Sequence, residues 1–393
     1  MKGWVLIPSV DIVVLIFCVL VQWRVTLLWL GQAQRLLDGG ARLGAYAGIL
    51  LFDAVFALGC AYNSQSVLGR LPMASPHAAL LGAASLTFAL LAASVLMIRA
   101  ALHAAKKRLH AEFNPGRRRV LNTAAGALIA APMVTLAYGF SVGRLDFHVR
   151  ELDVPLPDLP AGLEGLRILH LSDIHLSAFL SERDLIRIID ASNGLRPHLV
   201  LMTGDLISRV GDPLDACIAQ LARLKSDAGT FGCLGNHERF VGVEAYTQQA
   251  AARLGVEFLR HQAAPLRFGG AVLNLAGVDY QSLGDRQHYL RGADRLIAPG
   301  AFNVLLSHNP DVFPVAARQG YNLTLAGHTH GGQVSVEILD QSINPARFLT
   351  PYVYGLYRSG PAAEYVTRGI GTIGIPARIG APPEISLLKL RKA

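Results

Sequence analysis

Near residue 140 the chain changes its pattern. Before that point apolar residues run in long unbroken stretches, Trp4 to Trp23, Gly44 to Tyr62, Ala78 to Met97 and Val120 to Phe140. Each is close to the ~20 residues a helix needs to cross a bilayer, so residues 1–143 read as a membrane region of four transmembrane helices. Beyond it the apolar runs shorten to strand length: Leu166–Leu171, Leu199–Thr203, Thr230–Leu234, Ala271–Val278, Phe302–Ser307 and Leu323–Ala326. Between them Glu182–Asn193, Leu214–Leu224 and Glu244–Leu254 carry apolar residues at helical spacing, with Ser181 and Asp212 as cap candidates. Val353–Arg358, Ala363–Thr367 and Ile385–Leu390 read as late strands. Residues 164–393 are then one α/β domain, and 144–163 a Pro-containing connector centred on Val154–Pro160.

Composition sharpens the membrane half. Only 16% of residues are charged, and the mean hydropathy is +0.36, unusual for a soluble chain. Trp4, Trp23 and Trp29 all fall in the first apolar region, as interfacial belts place them, or else they simply pack. Asp11 and Asp53 lie inside apolar stretches; with no intramembrane Lys or Arg to match, they suit helix–helix hydrogen bonding or an interface better than transport. Residues 1–140 hold 12 Lys/Arg against 4 Asp/Glu, and residues 141–393 hold 24 against 24. The basic run from Arg99 to Arg119 is expected to stay in the cytoplasm. The α/β domain would then lie outside it, and Arg117-Arg118-Arg119 before an apolar stretch, similar to a twin-arginine signal, points the same way. A neutral domain gives no case for nucleic-acid binding; the expected partner is the membrane lipid bilayer.

Five polar blocks close the apolar runs: Asp173-Ile174-His175, Gly204-Asp205, Gly235-Asn236-His237-Glu238, Ser307-His308 and Gly327-His328-Thr329-His330. Asp173 to Asp205 is 32 residues and Asp205 to Asn236 is 31, matching the roughly 30 of a strand plus crossover helix. In extended chain, residues at i and i+2 share a side, so Asp173 with His175, and His328 with His330, can each converge on one ion. Asn236 and His237 are adjacent and diverge, one toward a metal and one toward substrate. Carboxylate, imidazole and amide without thiolate suit two catalytic divalent ions, Mn, Fe or Zn. Such a pair can bind a bridging hydroxide and stabilise in-line displacement at phosphorus.

The order DxH, GD, GNHE, H, GHTH, from about His170 to Gln333, resembles the calcineurin-like metallophosphoesterase superfamily. The resemblance implies two mixed β-sheets flanked by helices. It also implies a first metal held by Asp173, His175, Asp205 and His330, and a second by Asp205, Asn236, His308 and His328. Asp205 would be the bridge, His237 would contact the phosphoryl or leaving-group oxygen, and Glu238 would stand behind the ligands. Gly331-Gly332-Gln333, Gly355-Leu356-Tyr357-Arg358, Thr367 to Thr372 and Gly380 to Ile385 look like a bacterial membrane-associated or exported phosphodiesterase branch. Some of its relatives act on UDP-2,3-diacylglucosamine, so a lipid-linked phosphoester substrate follows by analogy.

The reading is therefore a membrane-anchored, extracytoplasmic, binuclear-metal phosphoesterase acting on a phosphodiester or pyrophosphate. One alternative is a cytoplasm-facing UDP-2,3-diacylglucosamine hydrolase, and another a non-catalytic scaffold of the same fold. His170 reads as a core or supporting histidine, and His148, His198, His261 and His288 as surface. Arg239, Arg358 and Arg368 are candidates for a phosphate contact but more often structural, and Gly369, Gly371 and Thr372 for an anion cradle but more often a turn. Cys217 and Cys233 are either a bridge or two buried thiols.

Overall fold

The computed structural model describes residues 7–63, 76–108, 123, 131, 134–338 and 341–393, in two units, Met1–Gly139 and Phe140–Ala393. In the first unit lie helices α1 (Ile7–Leu36), α2 (Gly39–Asn63) and α3 (Pro76–Arg108). Within them Ile12–Leu36, Gly39–Ala61 and Leu81–Ala104 are long and apolar enough to cross a membrane. The first runs well past Trp23, because a single Arg24 does not end an otherwise apolar helix. Of the fourth expected span, Val134 onward is helical, Thr123 and Ala131 are the other described positions, and the rest, with Arg117 to Arg119, lies outside the described residues.

Aromatic rings join the three helices: Trp29 meets Phe52 edge-on at 5.2 Å, and Phe52 meets Phe88 at 5.1 Å. Trp29 is thus a packing residue, whereas Trp23 is 56% exposed, as a lipid-facing ring would be. Asp53 accepts hydrogen bonds from Thr26 Oγ1 at 2.9 and 3.0 Å and from Gln22 Nε2. That is the helix–helix bonding its isolation in an apolar run suggested.

The second unit holds strands β1 (His148–Leu156), β2 (Arg167–Leu171), β3 (Leu199–Thr203), β4 (Thr230–Cys233), β5 (Val256–Phe258), β6 (Gln262–Phe268) and β7 (Ala271–Gly277). They are followed by β8 (Phe302–Leu306), β9 (Leu323–Ala326), β10 (Val336–Ile338), β11 (Gln341–Ile343), β12 (Gly355–Ser359), β13 (Ala362–Val366) and β14 (Glu384–Lys392). One sheet has the order β1-β14-β2-β3-β4-β5, the other β12-β13-β9-β8-β7-β6, both of mixed direction; β10 and β11 form a separate antiparallel pair. Helices Glu182–Gly194, Leu214–Leu221 and Glu244–Ala252 connect the parallel strands of the first sheet, and Phe313–Gln319 connects β8 to β9. Ser181 caps the first of these in a reciprocal capping box with Asp184.

Alternation within each strand explains the layers. Ile168, Leu199 and Leu201 turn to a core shared with Leu275, Val304 and Leu325 of the second sheet. Their neighbours Leu169, Val200 and Met202 pack against Leu185, Ile189 and Ile218 of the covering helices. Both faces are covered, so these strands read as continuous apolar runs. Cys217 and Cys233 belong to opposite faces of that sheet and are free thiols, which excludes the bridge.

Residues 148–156 correct the expected connector. They form β1, parallel to β14 over its full length. The partner comes from the far end of the chain, which local pattern cannot reveal, and Pro155 is tolerated because β1 is an edge strand.

Candidate metal centre

Each polar block sits just past the carboxyl end of a strand: Asp173 after β2, Asp205 after β3, Asn236 and His237 after β4, His308 after β8, and His328 and His330 after β9. The first loops are laced together, Asp173 N donating to Gly204 O at 2.9 Å and His175 N to Asp205 O at 3.0 Å. A methyl added at Gly204, whose φ is +91°, would lie 2.3 Å from Gly235 N, so these loops approach as closely as backbone allows.

Three groups of candidate ligands result: Asp173, His175 and His330; His175, Asp205 and His237; Asp205, His308 and His328, the atoms of each within 4.8 Å of one another. Asp205 Oδ2 links them, 3.0 Å from His308 Nε2, 3.5 Å from His175 Nε2 and 4.0 Å from His237 Nε2. His175 and His330 face each other Nε2 to Nε2 at 3.2 Å, and His328 Nδ1 faces His308 Nε2 at 3.1 Å. Behind the rings, main-chain carbonyls take the other nitrogens: Ile207 O for His175 Nδ1 at 3.1 Å, Thr203 O for His308 Nδ1 at 2.5 Å, Ser208 O for His237 Nδ1 at 2.6 Å. With each Nδ1 turned to a carbonyl, Nε2 is the atom these rings present to one another and to the Asp205 carboxylate, at 3.0 to 4.0 Å.

Such crowding of acceptors calls for a cation. Asn236 Oδ1 supplies the second sign, being a buried oxygen with no hydrogen-bond partner. The residues therefore fit divalent ions, in a donor set of oxygen and imidazole nitrogen without sulfur.

Backbone geometry departs from the extended pairs expected. Asp173, His175, Asp205, His328 and His330 have φ of 53°, 48°, 56°, 72° and 52°, all in the left-handed region. Convergence comes from coiled loops, not from strand alternation, and such residues store on the order of 1–3 kcal/mol each. Asn236 and His237 begin a short helix, Asn236–Val241, and the His237 ring lies with His175 and Asp205. Glu238 accepts from Gly235 N, Asp205 N and Leu206 N at 2.8, 3.0 and 2.7 Å, so one carboxylate fixes two ligand loops.

Charge balance follows from burial opposed by pairing. His308 would be lowered by burial alone, but the Asp205 carboxylate raises it to about 9. His328 falls to about 3 through burial and the charge of His308, and His330 to about 4 through burial. For Asp205 burial acts upward, yet His308 and His237 hold the carboxyl well below its usual range.

Other candidates sort clearly. His170 is buried and bonds Thr203 Oγ1 at 2.9 Å, a supporting residue. Arg239 donates to Tyr280 O, and Arg358 is spent on Pro155 O. Arg368 stacks 4.3 Å over Tyr354. The proposed anion cradle is closed, because Ile370 N and Gly371 N donate to Ser172 O and Asp173 O. Sequence reasoning missed Arg378, which is fully buried with Nη2 3.3 Å from His330 Nδ1. Its signal was an arginine flanked by Ile375, Pro376, Ala377 and Ile379.

A family model described as calcineurin-like phosphoesterase matches residues 166–332. The metallophosphoesterase YkuE of Bacillus subtilis is 31% identical over 283 residues, 70% of this chain and 97% of that protein. The phosphodiesterase YaeI of Escherichia coli is 30% identical over 57% of this chain and 82% of its own length. A transmembrane protein with metallophosphoesterase domain from Danio rerio is 31% identical over 66% of this chain, which spans 61% of that protein. With strand-end blocks, convergent ring nitrogens and these relatives in agreement, the chain belongs to the calcineurin-like metallophosphoesterase family of phosphoester-hydrolysing enzymes.

Proposed function

We propose that the protein is a membrane-anchored phosphodiesterase that cleaves a phosphodiester or pyrophosphate bond of an envelope or lipid-linked substrate, with its catalytic domain outside the cytoplasm. The observation that carries the reading is Asp205 Oδ2, within 4.0 Å of ring nitrogens of His175, His237 and His308 and common to two of the three candidate groups. Asp173, His175, Asp205 and His330 would hold one divalent ion, and Asp205, Asn236, His308 and His328 the other. Bound there, the ions would supply Lewis acidity toward a phosphoryl oxygen and acidify the attacking water.

The chain's own groups do the rest. Asp205 neutralises charge between the two positions, and Glu238 holds its backbone. The His237 side chain is 12% exposed, against 0% for His175 and His308 and 6% for His330. Ser208 O fixes its Nδ1–H, so the proton it can pass to a leaving oxygen is the one on Nε2.

The extracytoplasmic placement rests on the basic segment from Arg99 to Arg119, and the phosphodiester preference on the Escherichia coli relative, a phosphodiesterase. Turnover of bis(p-nitrophenyl) phosphate and p-nitrophenyl phosphate by the full chain, with D205N as reference, tests the chemistry. We expect diester cleavage that D205N abolishes together with metal content; D205N turning over at the wild-type rate would sink the proposal. Carboxyl-terminal phosphatase and fluorescent-protein fusions in intact cells test the topology. A fluorescent, phosphatase-silent pair would reverse it.

A further inference from the structure

Among the described residues Arg378 is the largest fully buried side chain, 1% exposed. A guanidinium out of water is costly unless paired, yet among the described residues no carboxylate forms an ion pair with it. Its N–H groups go to main-chain carbonyls instead. Nε donates to Gly371 O at 3.0 Å, and Nη1 to Arg368 O, Ala381 O and His330 O at 2.9, 3.1 and 3.2 Å. Nη2 reaches Gly371 O and lies 3.3 Å from His330 Nδ1.

Those carbonyls belong to the loop after β9 and to the segment between β13 and β14, and both touch the same candidate ligands. His330 is held directly. The segment 369–371 is held to Asp173, since Gly371 N donates to Asp173 O at 2.6 Å and Ile370 N to Ser172 O at 3.0 Å. It also packs on His175, because a methyl at Gly371 would sit 2.9 Å from His175 Cβ and 2.2 Å from Ile174 O. Thus Asp173, His175 and His330 all rest on what Arg378 ties together. By contrast, His308 is fixed by Thr203 O and Asp205 by Glu238, and His328 joins the Asp173 carboxylate through its backbone N and not through its ring.

We propose that Arg378 is a positioning residue of the group Asp173, His175 and His330, and that it sets the affinity of this group for a divalent ion while the group of Asn236, His308 and His328 is largely independent of it. The proposal rests on the metal reading above. A lysine cannot replace it: an ammonium has three donors on a point charge, whereas the planar fork spans carbonyls on several sides at once. Removing a partner behind a metal ligand typically weakens binding by about 10–100-fold.

The test uses the full-length protein in lipid nanodiscs, stripped with chelator and titrated with Mn²⁺, free Mn²⁺ being counted by its solution EPR signal. Wild type is expected to bind two ions. R378M and R378K are expected to bind one ion with near wild-type affinity and the other at least about tenfold more weakly. R378K keeps the charge, so it decides the matter if R378M fails to fold. Two sites of wild-type affinity in a folded variant would overturn the proposal, even with a lowered melting temperature, because a purely structural role moves stability alone. Equal weakening of both sites would overturn it too. A wild-type chain binding no Mn²⁺ would instead overturn the metal reading, and the proposal with it.

Discussion

Gly204 offers the sharpest test of how the site is built. Gly204→Ala adds a methyl at φ +91°, and that methyl would lie 2.3 Å from Gly235 N, 2.7 Å from Gly235 Cα and 2.8 Å from Leu234 C. All three atoms are backbone, so no side chain can swing aside. The left-handed conformation alone costs on the order of 1–3 kcal/mol, and overpacking adds about 1–3 kcal/mol. Gly165→Ala isolates the first contribution, since Gly165 has φ +77° and nothing within 4 Å of the added methyl. At about 2–4 °C per kcal/mol for a unit of this size, G165A should melt roughly 2–12 °C below wild type. G204A should melt a further 2–12 °C lower. Function should separate them more than stability. G204A pushes Asp205 away from Asn236 and His237, and a displacement near 1 Å costs about 10²-fold in rate; G165A should turn over normally. Scanning fluorimetry and diester hydrolysis on purified full-length protein read both effects. If G204A matched G165A in melting and wild type in turnover, the claim that the loops touch through bare backbone would be refuted.

Three further outcomes are expected. His237→Ala should keep both ions, measured by elemental analysis, while turnover falls about 10²–10⁴-fold; a rate near wild type with metal bound would reject its proton-transfer role. His308, raised to about 9, is protonated at neutral pH in the metal-free protein. Its pairing with Asp205 then adds stability that is fully present below its ordinary value near 6.5 and is lost as pH rises through about 9. The melting point of chelated protein should therefore fall across that window, and Mn²⁺ uptake at pH 7.5 should release about one proton from this group, seen by calorimetry in buffers of different ionisation enthalpy. Asp53→Ala should leave Gln22 and Thr26 without their shared acceptor, at a cost of about 1 kcal/mol measured by unfolding in detergent; an unchanged midpoint would show that bond contributes nothing.

Much of the hydrolase unit was legible because its strands are buried on both faces. β3 and β9 lie where continuous apolar runs end at a polar block, and the boundaries of β2, β4, β7 and β8 differ from the expected ones by one residue. The strands that escaped lack that signature. β6 is a half-exposed edge strand containing Pro265, β5 has three residues, and β1 is defined by a partner more than two hundred residues away. Identity of the candidate ligands was legible; their geometry was not. Left-handed backbone at Asp173, His175, Asp205, His328 and His330 is only weakly marked by residue type: aspartate and histidine are enriched there among non-glycine residues, yet adopt it only where surrounding structure holds them. Arg378 escaped for a related reason: its apolar flanks hint at a buried position, but residue type does not show which carbonyls its guanidinium ties together.

The two sheets give these facts one cause. Asp173, His175, Asp205 and Asn236 follow strands of the first sheet, and His308, His328 and His330 follow strands of the second. Of the three candidate groups only His175, Asp205 and His237 comes from one sheet, and the other two draw on both, so the full set is assembled only where the two carboxyl edges meet across a shared apolar core. That core sets the distance between edges, and Leu201, Val304 and Leu325 therefore act on the site without touching it. Fine adjustment must come from groups that cross the gap. His308 Nδ1 does so by bonding Thr203 O, His328 N by donating to both Asp173 oxygens at 3.1 and 3.0 Å, and Arg378 by tying the His330 turn to the segment over Asp173. Each crossing bond joins a candidate ligand that follows one sheet to a loop or a candidate ligand that follows the other. The strained loops persist because they are held from both sides, and a chain with either sheet's edge displaced would relax them and lose the site before losing the fold.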